Sequence, residues 1–175
     1  MTFVDLGILI LRVVLGSIFI AHGTQKLFGW FGGHGMEGTQ GFIGKLGLKP
    51  EKFWANVAAL AETLGGLGIF FGLLTPFAAA AVIGVMLMAI IKVHWQNGFF
   101  NTQGGMEYNL INIAVAFAIG LFGPGFFSLD AALNIAYPLP ISFLITLGIV
   151  ILGVLFAIFG IPAIREFSEQ SHAGD

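Results

Sequence analysis

Cysteine is absent from the 175 residues, and charge is scarce: 9% of positions are Asp, Glu, Lys or Arg, against 57% hydrophobic residues. Without thiols there can be no disulfide, thiolate metal site, iron–sulfur ligation or dithiol relay, so any redox role is non-thiol. The shortage of charge is equally restrictive, because a soluble domain carries about 25% charged residues to hydrate its outer surface. With a mean hydropathy of +0.95, the chain reads as an integral membrane protein. A basic surface is also missing. A formal net charge of -2 leaves no cluster of Lys and Arg to displace counterions from phosphates, which excludes nucleic acid as a partner. No internal repeat is evident.

What the chain does have is long apolar segments. Windows of about 19 residues pick out five, at 6–27, 53–74, 77–93, 110–122 and 141–161. The expected fold is therefore all-α, a polytopic membrane helical bundle forming a single domain over 1–165. The third and fourth segments are short and are expected to be extended by His94 and Trp95, and by Tyr108 and Asn109, side chains suited to the headgroup level. Only Thr75 and Pro76 separate the second and third segments, which predicts an antiparallel hairpin with Pro76 at a helix start. The first segment reads as a retained helix rather than a signal peptide, because Asp5 precedes it and Arg12 interrupts the apolar run.

Five crossings place 28–52, 94–109 and the C-terminal tail on one side. Those segments and the adjoining helix ends hold Lys26, Lys45, Lys49, Lys52, Lys92 and Arg165, whereas the opposite side has no Lys or Arg. The positive-inside rule then puts the long loops in the cytoplasm, with the N-terminus out and the C-terminus in. The segment 28–52 carries Trp30, Phe31, Phe42, Ile43 and Leu46, and is expected to lie in the interface or to fold over the helix ends as a lid. The polar tail 166–175 has nothing to bury.

Ionisable groups inside apolar helices are the candidates for function, since an ion at a helix centre costs about 2.5–3.5 kcal/mol on insertion scales. Arg12 and Glu62 qualify. Glu62 lies roughly 14 Å from the cytoplasmic start of its helix and Arg12 roughly 22 Å from the cytoplasmic end of its own. Arg12, Gly16, Phe19, Gly23 and Lys26 share one helix face with His22 on its shoulder, and Gly65, Gly68 and Gly72 offer small residues on the second helix. Packing those faces together is expected to bring Arg12, His22, Lys26 and Glu62 into a polar core. Three readings are open: a buried Arg12–Glu62 ion pair that fixes helix pairing, a set of groups that orients a polar ligand head or relays protons, or an Arg12 that snorkels to the outer interface.

A second polar cluster gathers at the cytoplasmic ends: Lys92, His94, Glu107 and Asn109, with Gln25 and Asn112 near it. Residues of this kind are often simply solvated at helix ends. Two histidines on different helices could ligate haem, and His with Glu62 and Glu107 could hold a metal. None of His22, His94, Glu62 and Glu107 stands in an H-x-x-E-H or E-x-x-H spacing, so no metal is expected.

The order of motifs resembles the DoxX family of small bacterial and archaeal membrane proteins. It is carried by R-V-V-L-G (12–16), A-H-G-T-Q-K-L (21–27), K-L-G-L (45–48), A-E-T-L-G-G-L-G-I-F-F-G-L-L-T-P (61–76) and G-P-G-F-F-S-L-D (123–130). The likeness covers about residues 8–133. It implies a DoxX-like four-helix core, to which the fifth transmembrane helix is an addition, in the inner membrane. It also implies an accessory subunit of a redox or respiratory complex, with other membrane-complex subunits as partners and quinone as the ligand class. The charged positions that match the pattern are Arg12, Lys26, Glu62 and Asp130, the last expected to cap a short helix. Two other functions are consistent with the residues: a purely structural scaffold subunit, and a small-solute or proton transporter using Arg12, His22 and Glu62.

Overall fold

The computed structural model describes residues 2–160. Among them the chain is helical, with no strand: α1 (Phe3–Phe28), α2 (Gly35–Lys45), α3 (Glu51–Phe71), α4 (Thr75–Ala89), α5 (Glu107–Phe122), α6 (Leu129–Ala132) and α7 (Ile141–Leu155). The all-α polytopic bundle expected from the sequence is the fold observed. Arg165, the tail 166–175 and the last residue of the fifth apolar segment lie outside the described residues.

Local chemistry fixes the helix limits. Thr2 starts α1 with a reciprocal capping box: its hydroxyl accepts from the Asp5 N–H at 3.3 Å, and the Asp5 carboxylate accepts from the Thr2 N–H at 2.6 Å. Gly72 ends α3 in the left-handed region at φ 63°, conformational space open to glycine, so α3 stops before the limit of 74 expected from hydropathy. The hairpin to α4 follows within three residues, with Pro76 in the first turn.

Four helical stretches are long and apolar enough to cross a bilayer: Phe3–Phe28, Glu51–Phe71, Thr75–Asn97 and Ile141–Phe159. The third extends α4 through a π-helical turn, Ile90–His94, and a short 3-10 turn, Trp95–Asn97. At 16 residues α5 is shorter, roughly 24 Å against a hydrocarbon core of about 30 Å.

The helices pack through small residues. A Cβ at Gly16 would come within 2.7 Å of the Phe70 backbone, one at Gly23 within 2.6 Å of the Thr63 nitrogen, and one at Gly66 within 2.7 Å of the Ile20 nitrogen. These contacts bring α1 and α3 into backbone proximity. The expectation that Gly65, Gly68 and Gly72 form this seam is corrected. Gly65 and Gly68 face Ala78 and Val82 of α4, and Gly72 backs onto Arg12 and Ser128, because the face toward α1 is that of Glu62 and Gly66.

The main core joins Leu15 and Phe19 of α1, Ile69 of α3, Val82 and Ile83 of α4, Ile119 of α5 and Phe143 of α7. A smaller core of Ile43, Leu48, Ala55 and Ala157 lies under α2. The segment 28–52 is thus not only a loop: it contains an 11-residue helix that packs on both α1 and α3.

Candidate functional site

Arg12 and Glu62 occupy opposite ends of the α1–α3 pair. Arg12 is 2% exposed. Its Nε donates to the Ile69 carbonyl at 2.9 Å and its Nη2 to Phe70 at 3.0 Å, both in the last turn of α3; Nη1 donates to Pro124 at 2.5 Å and Phe127 at 2.8 Å. A cation here satisfies carbonyls that the helix end leaves unpaired and meets the negative pole of its dipole. Nearby, Asp130 accepts from the N–H groups of Leu74 and Thr75 at 2.9 and 3.0 Å and from the Thr75 hydroxyl at 2.7 Å. It serves the start of α4, and Ser128, not Asp130, caps α6.

The arrangement corrects the expected Arg12–Glu62 ion pair, since backbone carbonyls use the guanidinium donors. It also corrects the reading in which Arg12 snorkels. The head is enclosed by Gly72, Ser128 and the segment around Pro124. Every strong interaction of Arg12 and Asp130 joins one chain segment to another, which makes this end a structural clasp.

At the opposite end Glu62, 4% exposed, pairs with Lys26. Lys26 lies near the end of α1 and its long stem reaches back toward the bundle, so the ion pair forms where the two helices are held together by Gly23 and Gly66. The pair borders a partly open cavity of about 610 Å³ lined by α1, α2, α3, α4, α7 and the start of α5. Its walls are mostly apolar, with Phe19, Ile43, Trp54, Val85 and Val150 among them, and its polar side chains are His22, Lys26, Thr39, Glu62, His94, Tyr108 and Asn109.

Sequence elements place each of these groups. Thr39 turns inward from α2, its hydroxyl bonded to the Gly35 carbonyl at 2.8 Å. His94 ends the π-helical turn, a distortion that re-aims a helix end. Its Nδ1 lies 2.6 Å from the Gly104 carbonyl, an acceptor, so Nδ1 is the donor, and in the tautomer protonated there alone Nε2 is left to accept. Asn109 is 3% exposed; its Nδ2 meets the Met86 sulfur at 3.4 Å, while its Oδ1 is buried without a partner.

The sequence-derived candidates are therefore redistributed. His22, Lys26 and Glu62 from one group meet His94 and Asn109 from the other around the cavity, whereas Arg12, Lys92 and Glu107 do not line it. Glu107 accepts from the Asn101 N–H at 3.0 Å and holds the loop before α5. Tyr108, Thr39 and Trp54 are the wall residues that sequence reasoning did not single out as site residues. The only signal for Tyr108 was its place beside Asn109, and for Thr39 the amphipathic pattern of a helix hidden in a glycine-rich segment.

The chain is thus a polytopic helical membrane protein with a ligand-sized apolar cavity at one end, edged by an ion pair. The family model described as DoxX matches residues 7–95. The chain belongs to the DoxX family. It is 35% identical to "Putative oxidoreductase CatD" of Bacillus subtilis (strain 168) over 72% of this chain and 86% of that protein. It is 30% identical to "Inner membrane protein YqjF" of Escherichia coli (strain K12) over 74% of this chain and 94% of that protein. An uncharacterized membrane protein of Mycobacterium tuberculosis, Rv3486, is 24% identical over 73% of this chain and 82% of its own length. No solved structure matches the chain.

Proposed function

We propose that the protein is a quinone-binding subunit of a membrane redox assembly, with the cavity beside Lys26 and Glu62 as the binding site. The observation that carries this reading is the cavity itself: about 610 Å³, inside the range of roughly 300–1,000 Å³ of small-molecule sites, with apolar walls and a few convergent polar groups. The partnerless Asn109 Oδ1 marks a polar position that a ligand can complete. A bound quinone supplies two-electron, two-proton carrier chemistry. Lys26 and Tyr108 can donate hydrogen bonds to a quinone oxygen, and Asn109 Oδ1 and His94 Nε2 can accept from the hydroxyls of the reduced ring. Phe19, Trp54 and Val150 exclude water and suit the ring and its tail. The name of the Bacillus subtilis relative, "Putative oxidoreductase CatD", is in keeping with this chemistry.

We further infer that the cavity end faces the cytoplasm. Lys26, Lys45, Lys49, Lys52 and Lys92 belong to that end, and among the described residues the only basic one near the other is the enclosed Arg12. The cysteine-free chain allows a direct test: single cysteines at Gly41 and Phe126, probed with an impermeant thiol reagent in oriented vesicles, should label from opposite sides, with Gly41 inside.

The binding test uses the purified protein in nanodiscs with decylubiquinone as the probe. The wild type should bind it, and Glu62→Gln should weaken binding at least tenfold while circular dichroism stays unchanged. Absence of wild-type binding would refute the proposal, and unchanged affinity in a folded Glu62→Gln protein would remove Glu62 from the site.

A further inference from the structure

We propose that the cavity is built for the reduced, hydroxyl-bearing form of its ligand, a hydroquinone or phenol, in preference to the quinone. The inference rests on the quinone-site reading and specifies which redox form that site selects.

The hydrogen-bonding inventory of the cavity leads to this conclusion. One buried acceptor awaits a donor, and two further atoms can accept one. Asn109 Oδ1 is buried with no partner, and its Nδ2 is turned to Met86, the arrangement expected when only a weak sulfur acceptor is near and the oxygen is left over. His94 donates through Nδ1 to the Gly104 carbonyl, which leaves Nε2 accepting in the neutral ring. Glu62 receives Lys26 on Oε2, so Oε1 retains accepting capacity. The charges of Lys26 and Glu62 cancel, so the polar end favours neither an anionic nor a cationic head.

A quinone oxygen only accepts. It can answer Lys26 or Tyr108 but leaves Asn109 Oδ1, His94 Nε2 and Glu62 Oε1 as they were. A hydroxyl both donates and accepts, so it can satisfy one of these acceptors, Asn109 Oδ1 first, while still receiving a bond from Lys26. Sites shaped around a ligand hydroxyl discriminate strongly against analogues that lack it, because the protein's own buried groups are then left unpaired. Asn109 Oδ1 is shielded from water, and the broad terminal torsion of an asparagine allows the amide to turn toward an incoming hydroxyl.

The test compares three probes of one shape on the nanodisc protein: decylubiquinone, decylubiquinol and the dimethyl ether of decylubiquinol, which has the oxygens but no O–H. Decylubiquinol should bind about tenfold or more tighter than the other two, a preference that raises the midpoint potential of the bound couple by about 30 mV per tenfold. Asn109→Leu should abolish much of that preference, lowering decylubiquinol affinity about tenfold more than decylubiquinone affinity. Equal affinities for quinol and quinone would overturn the preference and leave the quinone site standing. Equal affinities for quinol and ether would show that the hydroxyl protons are not read. Failure of all three probes to bind would overturn the site and the preference together.

Discussion

The two ends of the α1–α3 pair handle buried charge in opposite ways. At one, Arg12 distributes its donors over four backbone carbonyls and Asp130 gathers three donors at the start of α4, so both charges are used up in joining helices to the segment 124–130. At the other, Lys26 and Glu62 engage each other at the edge of a cavity beside one buried accepting atom, Asn109 Oδ1, that remains unused. An intramembrane charge is a functional candidate by default. What separates the two cases is open space: Arg12 and Asp130 are walled in by the backbone they bind, whereas the Lys26–Glu62 pair borders a cavity and is available to a ligand.

Substitutions test that division. The largest effect is expected for Arg12→Met, which leaves the carbonyls of Ile69, Phe70, Pro124 and Phe127 without their donor and Asp130 without its neighbouring cation; a loss of about 3–5 kcal/mol should appear in detergent unfolding curves. Arg12→Lys should recover little of it, because one ammonium cannot reproduce the planar fork. Next comes Gly66→Ala, which pushes a Cβ to within 2.7 Å of the Ile20 nitrogen and should cost about 1–3 kcal/mol through the shared seam.

Lys26→Met should cost about 1–2 kcal/mol, since it strands a buried carboxylate that can relieve the penalty by binding a proton. Glu62→Gln should cost less than about 1 kcal/mol, because the partly exposed Lys26 head can extend toward water. The smallest change belongs to Asn109→Leu. Removing an orphaned acceptor should leave the ligand-free protein as stable as before or more so, by up to about 1 kcal/mol. If Glu62→Gln proved as damaging to folding as Arg12→Met, the contrast between a clasp and a site would collapse.

Much of this architecture is legible in the sequence, and the gaps have physical causes. Hydropathy reveals the helices because lipid demands apolar surface, and the Thr75–Pro76 junction reveals the hairpin. The partners of Arg12 are not legible, because backbone carbonyls are common to every residue and leave no mark in composition. The pairing of Glu62 with Lys26 rather than Arg12 depends on which ends of antiparallel helices coincide. The spacing of Lys26 along the Arg12–Gly23 face already carried that information, but depth alone drew attention to Arg12. Helix α2 was obscured by its glycines, whose low propensity argues against a helix that packing on α1 and α3 nevertheless stabilises.

The π-helical turn at Ile90–His94 makes one position of the chain sensitive to length rather than to side-chain identity. A π-turn takes up an extra residue, and one residue corresponds to about 100° of helical rotation. Upstream of it Met86 faces Asn109 inside the bundle; downstream His94 meets Gly104 across the following loop. The turn works as a change of phase between two surfaces of one helix. Deleting a single residue there would leave the helix intact while swinging His94 away from both the Gly104 carbonyl and the cavity, an outcome that no point substitution imitates.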